Sequence, residues 1–511
     1  MTRMSFRDLP GMSALFIDYV SDWSKVRQFY RHPYTIDSIV NFGRRRLERG
    51  LPHREVLCRA LADQQRTYGG STASVDKLAA GAVAIVTGQQ PGLFTGPLYS
   101  ILKAITVIKL ARAVTDAGLP AVPVFWAAAE DHDHEEIQWA AVLDKESALR
   151  KLRVDLSNDD TAPVGRLQFR EDVAAAAAEC LRTLPQSEFQ ADLKDILENS
   201  YRPGLSPVEA FSRMMVRLFG DWGLILADPL DPALKAVAQP VLAEVVRRNG
   251  EIRNAVLARS RAISEAGYHE QVKVDSGFTG LFAYRGKSRL PMRPDDLTAD
   301  VPLSPNVLVR PVIQDTIFPT AAFVTGPAET AYLAQAGAVY ETLGMDVTPF
   351  FPRISATLLE HRVARPLKKY ELQFGDVFHG REFLKRRAVE SVQGVDGFAK
   401  VKKQVSESIE SLRSTLNAVD PTLLGALDTA RQKMVYQVET LETKFVNAEA
   451  RRNEVLEKQL ELVCNSLFPE KKLQERMLNV TSFIARYGRG FLDRLEQAVS
   501  LETTKHQVIE I

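Results

Sequence analysis

Cysteine is scarce: Cys58, Cys180 and Cys464 are the only three in 511 residues. Three scattered thiols write neither a disulfide framework nor a CxxC zinc site, and they fit a reducing compartment. An excess of either charge is also missing, since 65 Lys and Arg stand against 64 Asp and Glu. So balanced a chain has no field for holding a polyanion, which argues against nucleic acid as its principal partner. Long apolar runs are absent as well. No window reaches the ~18 uninterrupted apolar residues of a membrane span. The opening MTRMSFRDLPGMSALFIDYV has neither an apolar core of signal-peptide length nor a small-residue cleavage site. The expectation is a cytoplasmic protein without a membrane anchor.

What is present is an ordinary globular composition, 45% hydrophobic and 25% charged, in a chain long enough for two or three domains. Residues 1–80 read as a polar helical segment packed on the core, with Arg44-Arg45-Arg46 on a solvated face. The run AVAIVTG (82–88) then has the β-branched, glycine-ended character of a buried parallel strand. A helix is expected from Thr95-Gly96-Pro97, with Thr95 as cap and apolar residues at helical spacing to about Ala113. AVPVFW (121–126) follows as a second strand. Strand, helix, strand is a βαβ unit of an α/β fold with a parallel sheet, and its crossover should be right-handed. WGLILADP (222–229) and TAAFVTGPAETAYLAQAGAVYETLG (320–344) look like further strands of the same sheet. The core is read as 81–384, with insertions at about 131–205 and 268–310, the second of them hairpin-like. In 385–468 Leu427, Met434, Leu441, Ala448, Val455 and Leu462 recur every seven residues, after Phe398, Val401, Val405, Ile409, Leu412 and Leu416 at spacings of three and four. That pattern predicts an antiparallel coiled-coil hairpin broken at Asp420-Pro421, with charged Lys402, Lys403, Glu410 and Arg451 between the seam positions. Residues 469–511 form a C-terminal segment returning to the core.

Three segments could carry chemistry. The loop GQQPGLFTGP leaves the carboxyl end of a parallel strand, where α/β sheets bind ligands, and precedes a helix whose free N–H groups favour an anion. It offers Gln89, Gln90, Thr95 and Gly96, and is neither a Walker loop nor GxGxxG. Glu130-Asp131-His132-Asp133-His134-Glu135-Glu136 follows the second strand. Three readings compete there: His132 as general base or acid oriented by Asp131 or Asp133, a divalent metal held by His132, His134 and a carboxylate, or a solvated acidic loop. QDTIFPTAAFVTGPAE adds Gln314, Asp315, Thr325, Gly326 and Glu329, the last either a ligand contact or a partner of the helix dipole. Arg353 and Ser355 either close over a phosphate or, in the serine's case, cap a helix.

TGQQPGLFTGPLYSILKAITVIKLA (87–111), PVFWAAAEDHDHEEI (123–137) and VLVRPVIQDTIFPTAAFVTGPAETAYLAQ (307–335) closely resemble the bacillithiol biosynthesis cysteine-adding enzymes, the BshC family. FFPRISATLLE, NVTSFIARYGRGFLDRL and HQVIEI extend the resemblance over nearly the whole chain. Departures are Ala129, where the family usually has Gly, and His134-Glu135-Glu136. The resemblance implies a Rossmann-like core similar to class I aminoacyl-tRNA synthetases, with connecting-peptide insertions and a coiled-coil arm used for homodimerisation. It implies a ligase joining the carboxyl group of L-cysteine to the amine of glucosaminyl malate, the last step of bacillithiol synthesis. Gln89, Gln90, Thr95 and Gly96 would then receive the activated acyl group or its phosphate. His132, with Asp131 and Asp133, would deprotonate the amine. Thr325, Gly326 and Glu329 would help bind one substrate, alongside Gln314 and Asp315. The HIGH and KMSKS motifs are absent, TGPL standing roughly where the first would be, so ATP enters by analogy only. No metal ligand is assigned. The rivals are a metal-dependent hydrolase built on Asp-His-Asp-His and a non-catalytic scaffold built on the coiled coil.

Overall fold

The computed structural model describes residues 2–156, 161–298, 301–393, 396–452 and 454–511. The chain forms two compact units. The first is Met1–Lys145, Leu149–Thr357 and Glu475–Ile509, and the second is Glu146–Ala148, Leu358–Gln474 and Glu510–Ile511.

At the centre of the first unit lies β1 (Val83–Gln89), whose Val83, Ala84, Ile85 and Val86 are wholly buried. Burying each such aliphatic side chain is worth about 1.5–3 kcal/mol, and β-branching suits the pleated surface. Next come α1 (Leu98–Asp116) and β2 (Ala121–Ala127), then β3 (Ile225–Ala227). The 268–310 stretch holds a small antiparallel sheet of β4 (Leu281–Arg285), β5 (Ser288–Pro291) and β6 (Leu303–Pro305), with β4 in the middle. The main chain then returns as β7 (Thr320–Thr325), α2 (Pro327–Thr342) and β8 (Phe350–Pro352). The main sheet runs in the order β8-β7-β1-β2-β3 with every neighbouring pair parallel. The N-terminal helix Ile36–Glu48 packs on β7, and Arg54–Tyr68 packs on β3. The segment ahead of them also carries a short strand, Thr2–Ser5, paired antiparallel near the C-terminus with Thr2 opposite Val508.

One local expectation is corrected. Thr95 does not cap α1. Phe94, Thr95 and Gly96 sit at φ of +51°, +77° and +68°, so the chain winds through a left-handed turn and α1 starts only at Leu98. Partners from distant segments hold this turn. Tyr201 Oη accepts from the Thr95 N–H (3.1 Å) and donates to the Gly92 carbonyl (3.2 Å). Asn479 Nδ2 donates to the carbonyls of Phe94 (2.8 Å) and Gly96 (2.7 Å), and the Leu98 N–H reaches the Leu478 carbonyl (2.9 Å). These bonds satisfy backbone groups that the left-handed turn leaves outside any helix or sheet.

In the second unit, α3 (Asp396–Glu410) runs antiparallel to α4 (Leu423–Arg452), and α5 (Glu454–Leu467) follows. Phe398 meets Phe445 at 5.5 Å between ring centroids, Lys402 bonds Glu442 at 2.9 Å, and Arg413 bonds Asp428 at 2.7 Å. Among the described residues of α4 and α5 the buried positions are Leu427, Glu442, Val446, Leu456, Leu460, Val463, Ser466 and Leu467. The seven-residue stripe expected to be the internal seam therefore lies mostly outside it, with Met434, Leu441 and Val455 each more than half exposed. The reason is register: α3 sits against residues 442, 445 and 446, one side of the stripe. The side chain of Arg451 lies outside the described residues.

Candidate active site

In the main sheet the chain goes from β1 to β2 on one side and later places β7 on the other. The strand order thus reverses between β1 and β7, and ligands bind such sheets beyond the carboxyl ends of the strands at that point. A cavity of about 540 Å³ opens there, lined by residues that follow β1, β2, β7 and β8 and by the β4–β6 insertion.

Gln89 and Gln90 end β1 and reach toward the β2 loop. Gln89 Nε2 donates to Glu136 Oε1 (3.0 Å), and Gln90 Nε2 donates to Asp131 Oδ2 (2.6 Å). The Gln90 side-chain Oε1 and the Trp126 indole nitrogen are buried with no hydrogen-bond partner among the described residues, and both residues line the cavity. Lys103 of α1, only 2% exposed, donates to the Gly88 carbonyl (2.6 Å) and Gln89 Oε1 (2.9 Å), and pairs with Glu329 Oε2 (2.5 Å). Burial pulls its pKa down, and Glu329 opposes that pull. Glu329 also accepts the Gly326 N–H (2.6 Å) at the start of α2. A single polar chain thus ties β1 to both neighbouring loops.

The acidic run after β2 divides by direction. Asp131 Oδ1 takes the His132 main-chain N–H (2.7 Å), and the His132 ring lines the cavity. Asp133 caps the short helix His134–Ile137 by accepting the Glu136 N–H (3.2 Å), and does not line the cavity. His134 turns inward, its Nε2 2.7 Å from the Ala162 carbonyl, so the two imidazoles point to different partners. Among the described residues no three His, Cys, Asp or Glu side chains gather as a metal site. Glu136 faces the cavity, takes a hydrogen bond from Tyr99 Oη (3.1 Å), and has its pKa raised by burial. Glu130 pairs with Lys235 and accepts from Tyr284 Oη (2.9 Å).

Several predicted residues lie elsewhere. Thr95 and Gly96 belong to the buried turn. Gln314 and Asp315 sit on the helix Arg310–Ile317, where Tyr340 Oη and Thr348 Oγ1 each donate to Asp315 Oδ2 at 2.5 Å. Thr325 is fully buried and bonds Thr330 Oγ1 (2.8 Å). Gly326 and Glu329 do line the cavity, with Gln89, Gln90, Asp131 and His132. Ser355 caps no helix: it donates to Glu475 Oε1 (3.0 Å), the carboxylate that also holds Arg353 through contacts of 3.0 and 2.6 Å. Arg353 nonetheless borders the cavity. The residues that sequence reasoning missed are Lys103, Tyr99, Arg289, Arg310 and Arg476. Lys103 left one signal, a cation set within the apolar run Ile101–Ile108 of α1.

The bacillithiol biosynthesis BshC family matches in two parts, its N-terminal Rossmann-like domain over residues 1–299 and 296–354 and its C-terminal coiled-coil domain over 356–511. Among similar proteins, one from Koribacter versatilis is 34% identical, with 99% of this chain and 98% of the relative covered. One from Solibacter usitatus is 33% identical over the same shares, and one from Bacillus anthracis is 28% identical over 84% of each chain. All three carry the provisional name cysteine ligase BshC. With both domains matched in order and end to end, this chain belongs to the BshC family of bacillithiol biosynthesis.

Proposed function

We propose that this protein is a cytoplasmic ligase that joins the carboxyl group of L-cysteine to the amine of glucosaminyl malate, completing bacillithiol. The observation that carries this reading is the two-signed lining of the cavity. Glu130, Asp131 and Glu136 come from the β2 side, while Lys103, Arg310, Arg353 and Arg476 come from α1, the β7–β8 side and the C-terminal segment. Cations suit the carboxylates of the two substrates, and carboxylates suit an ammonium group that must lose its proton before it attacks. Burial raises the pKa of Glu136, which makes it a better proton acceptor than an exposed glutamate. The relatives' name supplies the cysteine.

A carboxylate needs a leaving group before an amine displaces it, and we assign that task to ATP by analogy with class I synthetases. Arg310, Arg353 and Arg476 are the side chains fit to hold its phosphates, and the unpartnered Gln90 oxygen and Trp126 nitrogen are fit for further ligand contacts. We also assign the exposed Met434, Leu441 and Val455 stripe to a homodimer seam.

The test is reconstitution. Purified protein with glucosaminyl malate, L-cysteine and ATP should yield bacillithiol by mass spectrometry, and a strain lacking the gene should accumulate glucosaminyl malate. A deletion strain that still makes bacillithiol would overturn the assignment.

A further inference from the structure

Arg289 reaches the cavity from β5 and is 6% exposed. Its Nε donates to Ser304 Oγ (3.0 Å), its Nη2 donates to the Pro305 carbonyl (2.8 Å), and its guanidinium lies 3.7 Å over the Phe282 ring. The main chain is fixed too, its N–H donating to the Thr161 carbonyl at 2.8 Å. Nη1 in turn lies 3.0 Å from His132 Nδ1 and 3.7 Å from Asp131 Oδ1.

A guanidinium has five donors and no acceptor. In this contact Nδ1 must therefore be the acceptor, with its lone pair toward Arg289. A neutral imidazole carries one proton, so that proton is on Nε2. Adding a second at Nδ1 would set two N–H donors and two positive charges face to face. The surrounding charges do not reverse this. Asp131 Oδ1 is 3.7 Å from Nδ1, beyond hydrogen-bond distance, and is occupied by the His132 main-chain N–H. Asp133 is spent on its cap and His134 on the Ala162 carbonyl. Burial and Arg289 together hold His132 below its ordinary pKa.

We infer that Arg289 is a positioning residue that fixes His132 as a neutral Nε2–H donor, so that His132 stabilises the oxyanion of acyl transfer instead of acting as its base. The tautomer stands on geometry alone, and the role in acyl transfer rests on the ligase reaction proposed above. In that reaction the amine lone pair forms the new C–N bond while the carbonyl π pair moves onto oxygen. Its return expels the phosphate-bearing leaving group of the activated carboxyl, which carries away the proton left on the new C–N nitrogen, Glu136 having taken the substrate ammonium's proton before attack. The oxygen that carries the transient charge takes its hydrogen bond from Nε2.

Histidine side-chain ¹⁵N NMR on the full chain reads the tautomer without substrate. Of the eight histidine patterns, the one lost in His132→Asn should be that of a neutral ring protonated at Nε2. Arg289→Gln should release that preference, and Arg289→Lys, which keeps the charge without the fork, should restore it only in part. In turnover, His132→Asn should lower the rate by about 100-fold or more, the range of a lost oxyanion donor. Its pH–rate profile should keep the wild-type shape. A ring protonated at Nδ1 or charged at neutral pH overturns the inference, and so does an ascending pH limb present in wild type and missing in His132→Asn. If the predicted NMR pattern stands but no bacillithiol forms, the ligase reading fails while the tautomer holds.

Discussion

Replacing Lys103 by methionine isolates the electrostatic link between β1 and α2. The ammonium is 2% exposed and serves three acceptors, Gly88, Gln89 and Glu329, at 2.6, 2.9 and 2.5 Å. Methionine keeps most of the stem volume, so α1 loses little packing. The charge is what disappears, and Glu329 is left facing an uncompensated site. Removing one partner of a buried pair typically destabilises by ~3–5 kcal/mol. The low end applies because Glu329 is 20% exposed and keeps the Gly326 N–H at 2.6 Å. At about 2 °C per kcal/mol for a large domain, Lys103→Met should lower the melting temperature by about 6 °C. Neutralising Glu329 in the same chain removes the stranded charge. Lys103→Met with Glu329→Gln should therefore melt above the sum of the two single losses, with a coupling of about 1–3 kcal/mol. Thermal unfolding of wild type, both single variants and the double variant gives the cycle directly, and turnover should fall in the two variants that carry Lys103→Met because Gln89 loses its anchor. Strictly additive melting shifts would refute the claim that the pair acts as one buried unit.

Gly92→Ala should destabilise the β1–α1 turn, because its Cβ would lie 2.8 Å from Gly96 Cα; Gly96→Val should do the same by about 1–2 kcal/mol, since its φ is +68°. A melting temperature unchanged in both would show that the turn is not rigid. His506 is wholly buried between Ser355 Oγ (2.8 Å) and Thr357 Oγ1 (2.9 Å), and burial depresses its pKa to about 4. Its contribution is complete above the unfolded value of about 6.5 and is lost as pH falls toward 4, by up to about 3 kcal/mol. The melting temperature should drop across that window, and less so in His506→Gln. Leu441→Glu with Val455→Glu should split a homodimer, each side chain forfeiting about 1.5–3 kcal/mol of burial; an unchanged mass by light scattering would clear the stripe of that role.

The parallel strands and the βαβ unit were readable because burial on both faces demands unbroken apolar runs such as AVAIVTG. Gln89, Gln90 and His132 were readable for the same reason: strand ends locate the sheet's mouth. Thr95 misled because Thr-Gly-Pro is also a good helix start, and only Tyr201 and Asn479, far away in sequence, make the left-handed turn tenable. Arg289 gave no signal at all. It meets His132 across 157 residues through an insertion whose alternating pattern says only hairpin. The stripe on α4 and α5 was legible as periodicity, but which face α3 covers depends on packing that a repeat of seven does not encode.

Asn479 has a consequence for how the protein is made. It grips the Gly96 carbonyl from 383 residues further along the chain, and Glu475 holds Arg353 at the cavity's rim from the same segment. A ribosome must therefore reach Asn479 before the mouth of the sheet acquires its latch. Vectorial folding cannot complete this turn, since its Asn479 and Leu478 partners are translated long after the first strand and its helix. Premature termination after residue 470 would spare Gln89, Glu136 and Arg289, yet would yield a chain whose β1–α1 turn keeps Tyr201 and lacks Asn479.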